Sequence, residues 1–181
     1  MELKTALGLT QLTSMLVFAS IAAWYVVPWL ARQERATALT ALVWPHVFRY
    51  VALQAYSAQR AGFPISDAGL TRLVYGDLAG AALAFLVILA LRHRVQGAAA
   101  LTWLLVATTA FDTLSNISNG IHENLFGAAT GVTWMVVSFY VPLLMVSLAL
   151  TVWQLYSRFG EPIAASDPGA RMRIGDASNV S

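Results

Sequence analysis

The chain has 181 residues, of which 58% are hydrophobic and only 11% charged, with a formal net charge of +2. A soluble domain carries about 25% charged residues, so this composition cannot cover a water-facing surface, and the small net charge argues against nucleic acid as a partner. Cysteine is absent, which excludes disulfides, thiolate metal sites, iron–sulfur clusters and cysteine catalysis.

The apolar residues come in blocks. Residues 78–91 and 125–153 contain no charge at all, and roughly 20 mostly apolar residues suffice to cross a bilayer as a helix. The expected fold is therefore an all-α integral membrane protein, a single polytopic domain over 1–157 in contact with the lipid bilayer. The first span is expected at about 7–30. Trp24, Tyr25, Pro28 and Trp29 crowd its end, and aromatic residues favour the membrane–water interface. A cleaved signal peptide is the competing reading of this stretch, but the apolar run continues past the small residues Ser20 and Ala22.

The second segment, 37–58, holds His46, Arg49 and Gln54. It reads either as a span or as an interfacial or re-entrant helix, so the bundle has five helices, or four plus one at the surface. Gly, Pro, Ser and Asp make 59–71 a loop, with Ser66 or Asp67 placed to cap the next helix. Further spans are expected at about 72–91, 98–118 and 131–157, the last with a kink at Pro142. The tail, 158–181, is polar and expected to be disordered. Five spans would place Arg32, Arg35, Arg92, Arg94, Arg158, Arg171 and Arg173 on one side, against Lys4, Arg60 and Arg72 on the other. The positive-inside rule makes the first side, with the C-terminus, cytoplasmic. A bacterial inner membrane is the expected location.

Ionisable groups inside spans cost about 2.5–3.5 kcal/mol each on insertion scales, so they need partners and point to function. Arg49, Asp77 and Asp112 are the three. Asp112, Ser115, Asn116 and Asn119 share one helical face that Glu123 extends, and His46, Arg49 and Tyr50 share another. Both faces are expected to turn inward. One reading makes this polar set glue between helices. The other makes it a site for a small lipophilic molecule, with Asp112, His46, Asp77 and Arg49 in acid/base chemistry of the isomerase or hydrolase kind. Asn116, Asn119, Tyr50, Tyr75, Trp134 and Tyr140 would then bind the substrate.

Other features point elsewhere. Gly76 and Gly80 form a GxxxG face suited to close helix contact, such as a homo-oligomer. No metal-ligating histidine spacing occurs and no cofactor is expected, although a haem b held through His46, the best candidate of the three histidines, is an open alternative. Lys4 is the sole lysine, which excludes a Schiff base within the spans, and nucleotide-binding glycine patterns are absent. In plan the chain is similar to small polytopic proteins such as sterol isomerases, epoxide isomerases and tryptophan-rich sensory proteins. The likeness is architectural and implies no shared residue roles. Three functions stay open: a binder or enzyme for a lipophilic molecule, a small transporter or proton-coupled protein, and an accessory or assembly subunit of a larger complex.

Overall fold

A computed structural model describes residues 1–163. All regular structure among them is helical. Four helices are long and apolar enough to cross a membrane: α1 (Leu3–Leu30), α3 (Asp67–Arg92), α4 (Ala98–His122) and α5 (Gly131–Ser157). The remaining long segment, α2, is helical from Arg35–Val47, tightens to a 3₁₀ stretch at Phe48–Leu53 and resumes as α-helix at Gln54–Arg60.

Helix boundaries follow capping rather than hydropathy. α3 begins five residues before the apolar run because the Ser66 hydroxyl accepts the Gly69 N–H at 3.0 Å. α4 continues past the apolar run to His122, so the expected connection at 119–130 shortens to a turn around Asn124 and a 3₁₀ turn at Leu125–Gly127.

Two prolines act at a distance of one turn. A proline has no N–H for the carbonyl four residues back, and the helix absorbs this by widening. π-helical turns at Ala22–Val26 and Val136–Tyr140 precede Pro28 and Pro142. The two faults pack near each other, with Phe18 edge-on to Phe139 at 4.9 Å between centroids.

α2 and α3 run antiparallel along their whole lengths. Glu34 pairs with Arg94 at one end, Arg49 pairs with Asp77 midway, and Gln59 Nε2 donates to Asp67 at 2.9 Å at the other end. Between the first two contacts, Leu39 and Val43 interlock with Val87, Ile88 and Leu91. α5 packs on the other side of α2, α4 on α3, and α1 lies outermost against α5. Of α1, only Leu7, Ala22 and Leu30 are buried.

One end of the bundle is closed by arginines. Arg35 is buried, and its guanidinium donates to the carbonyls of Leu155 and Glu161. Arg158 donates to Gln33 O at 3.0 Å. Residues 158–163, expected to open a disordered tail, are thus tied to α2, and Ile163 packs on the main core. Residues 164–181, the rest of that tail, lie outside the described residues.

Candidate functional site: a buried arginine between two aspartates

The centre of the bundle is built around Arg49. It stands in the 3₁₀ stretch of α2, buried, and extends its guanidinium between α3 and α4. Nε donates to Asp77 Oδ1 at 2.7 Å, Nη1 to Thr109 Oγ1 at 3.2 Å, and Nη2 to Asp112 Oδ2. Asn116 Nδ2 donates to the same Asp112 oxygen at 3.1 Å. Side-chain exposure is 2% for Arg49, 19% for Asp77 and 16% for Asp112. Two carboxyl groups therefore face one guanidinium, and the Asn116 amide supplies Asp112 with a further donor.

Glycines make the room. A Cβ at Gly80 would fall on the Arg49 guanidinium, and one at Gly76 on the Asp112 carboxylate. The GxxxG face expected to seat a second copy is thus filled by side chains of the same chain. Closeness of α3 to its neighbours is still what the glycines provide, but the approach is side chain to backbone.

The other expected site residues divide. Asn119 sits two turns, about 10.5 Å, along α4 from Asp112, and faces Gly69 with Glu123. There Glu123 accepts from the Ser66 N–H and hydroxyl, both at 2.7 Å. These bonds, the backbone one foremost, hold the Glu123 carboxyl below its ordinary pKa. At the opposite end Glu161 is likewise held low by its hydrogen bond from Arg158. Tyr50 is exposed rather than grouped with His46 and Arg49. In a 3₁₀ turn residues three apart eclipse, and the fourth swings about 120° away. Tyr75 is also exposed, since two residues along a helix from Asp77 is nearly the opposite face. Trp134 is half-buried near the start of α5 and lines neither groove described below. Thr109, not anticipated, completes the arginine's bonding. It lies one turn before Asp112 on the same face, which was the signal available for it.

His46 is 1% exposed, and neither ring nitrogen has a hydrogen-bond partner. A buried unsatisfied polar group costs about 1–3 kcal/mol. The imidazole lines neither of the grooves described below.

An open groove of about 600 Å³ separates α2 from α5, with Trp44, Pro45, Phe48, Phe139 and Tyr140 among its walls. The Tyr140 hydroxyl donates to Pro45 O at 2.8 Å across it. A second, more polar groove of about 350 Å³ lies near Gln54, Ser57 and Thr130. Neither contains Arg49, Asp77 or Asp112. No group of three or more His, Asp or Glu side chains suited to a metal occurs among the described residues.

Residues 6–156 match the model of a family described as a domain of unknown function, DUF8737. The chain belongs to that family. No curated protein and no solved structure matches it. Membership covers all five long helices, the Arg49 cluster and both grooves, so the family's defining region is the bundle itself.

Proposed function

We propose that the chain is a five-span inner-membrane protein that serves as a non-catalytic subunit or assembly partner of a larger membrane complex. The observation that carries this reading is the engagement of Arg49 within its own chain. Its three guanidinium nitrogens are all engaged by Asp77, Thr109 and Asp112 of the same chain. Acid/base chemistry would need a carboxylate or guanidinium facing an enclosed cavity. The cluster instead ties α2, α3 and α4 together at one depth, which is the use of buried polar groups as register-setting contacts.

Five spans are supported by the end-to-end pairing of α2 with α3. The cytoplasmic side is assigned to the end holding Arg32, Arg35, Arg92, Arg94 and Arg158. The outermost helix, α1, leaves Leu9, Leu12, Leu16, Val17 and Trp24 exposed, a face open to lipid or to a partner's helix.

The test is native electrophoresis of membranes solubilised in a mild detergent, with stoichiometry by mass spectrometry. The expected result is migration in a defined hetero-complex at fixed ratio, with the partners depleted when the chain is deleted. Migration as the 19.5 kDa chain alone or as a pure homo-oligomer, with no other protein depleted, overturns the reading.

A further inference from the structure

The end of the bundle closed by arginines carries positive charge that the chain itself does not balance. Arg32, Arg35, Arg92, Arg94 and Arg158 stand there with two carboxylates among the described residues, Glu34 and Glu161. Arg94 takes Glu34 and Arg158 takes Glu161. Arg35 is buried against backbone carbonyls. Arg32 and Arg92 are left exposed, and neither guanidinium has an acidic partner among the described residues. Residues 164–181 bring no net side-chain charge, since Asp167 and Asp176 equal Arg171 and Arg173. At the opposite end Lys4, Arg60 and Arg72 are matched by Glu2, Asp67 and Glu123. The Glu34–Arg94 pair ties the α1–α2 turn to the α3–α4 turn, and each unpaired arginine lies two residues before one member of that pair.

We propose that these two turns form a docking surface for anionic phospholipid headgroups, with Arg32 and Arg92 supplying the contacts to phosphate. The planar fork of a guanidinium matches phosphate oxygens. A zwitterionic headgroup brings its own cation, so a headgroup of net negative charge is the one that complements the surplus. Each unpaired arginine also stands over exposed apolar side chains, as a lipid requires and a soluble anion does not. On α3, Phe85, Leu89 and Arg92 are all exposed, and their spacing of four and three residues puts them on one face. A headgroup held at Arg92 therefore has a bed for its acyl chain along Leu89 and Phe85. On α1, the Arg32 N–H donates to Trp29 O at 3.0 Å, closing a turn that follows the exposed Trp29 ring. This inference rests on the membrane placement and not on the subunit role.

The full chain in detergent micelles is titrated with phosphatidylglycerol or with phosphatidylcholine of the same acyl chains, and bound lipids are counted by native mass spectrometry. One basic residue facing anionic lipid is worth about fivefold in affinity, so two favour phosphatidylglycerol about 25-fold. Arg32→Gln and Arg92→Gln are each expected to lower that preference about fivefold. Arg60→Gln, at an exposed arginine of the opposite end, is expected to leave it unchanged. Equal binding of the two lipids overturns the proposal, as does a preference that persists when Arg32→Gln and Arg92→Gln are combined or that falls as far with Arg60→Gln. Inorganic phosphate, added at matched ionic strength, is expected not to displace phosphatidylglycerol; displacement would assign the arginines to a soluble anion and overturn the lipid as occupant. Should the double variant fail to fold, the single variants and the comparison of lipids decide alone. Loss of the hetero-complex in native gels leaves these outcomes untouched.

Discussion

Replacing Arg49 with methionine isolates the energetics of the cluster. The substitution keeps the length and apolar stem of the side chain but leaves Asp77 and Asp112 facing each other at 19% and 16% exposure with no cation between them. Removing one partner of a buried ion pair costs about 3–5 kcal/mol, most of it the penalty on the charges left behind. The hydrogen bonds themselves are a smaller part. Polar contacts between membrane helices average about 0.6 kcal/mol, so the three lost here amount to about 2 kcal/mol. The two contributions separate in a variant that also carries Asp77→Asn and Asp112→Asn. It should recover to within about 2 kcal/mol of the original chain, since only the bonds are then missing. The assay is reversible unfolding in mixed detergent micelles, followed by circular dichroism and extrapolated to zero denaturing detergent. If the triple variant is as unstable as Arg49→Met alone, or if Arg49→Met costs less than about 1 kcal/mol, the uncompensated-charge argument is wrong.

Gly80→Ala should destabilise the bundle more than Ala at the open Gly8, because its Cβ meets the guanidinium whereas nothing lies within 4 Å of the other; paired melting curves in one detergent check this. At the Ser66–Glu123 contact the folded carboxyl has a lowered pKa. Its contribution is therefore fully present above the ordinary 4.5 and is lost as pH falls through the folded value. Glu123→Gln should melt below the original chain at neutral pH, with the gap closing in acid; a gap independent of pH would refute the assignment. Because the chain has no cysteine, single cysteines report topology directly. Ala31→Cys and Ala61→Cys, both exposed, should react with a membrane-impermeant maleimide from opposite sides, whereas reaction from the same side would show that α2 does not cross.

Composition and the charge-free blocks were enough to establish a helical, membrane-suited chain, since hydrocarbon burial depends on the length and polarity of a segment and not on its neighbours. Helical periodicity placed Asp112 and Asn116 on one face, and the cost of lone charges marked Arg49, Asp77 and Asp112 as needing partners. All three do meet. The sequence left α2 undecided because its polar residues lower its own hydropathy, and what offsets them comes from other helices. Periodicity also failed where the helix is not α-helical. The 3₁₀ stretch at Phe48–Leu53 turned Tyr50 outward, and no pattern in FRYVAL announced it. The glycines at 76 and 80 were legible as a close-approach face, but whether a second chain or an internal arginine uses that face is a three-dimensional fact. The orphaned nitrogens of His46 and the groove between α2 and α5 belong to the tertiary structure alone, because a cavity and a missing partner are properties of how helices distant in sequence come to lie side by side.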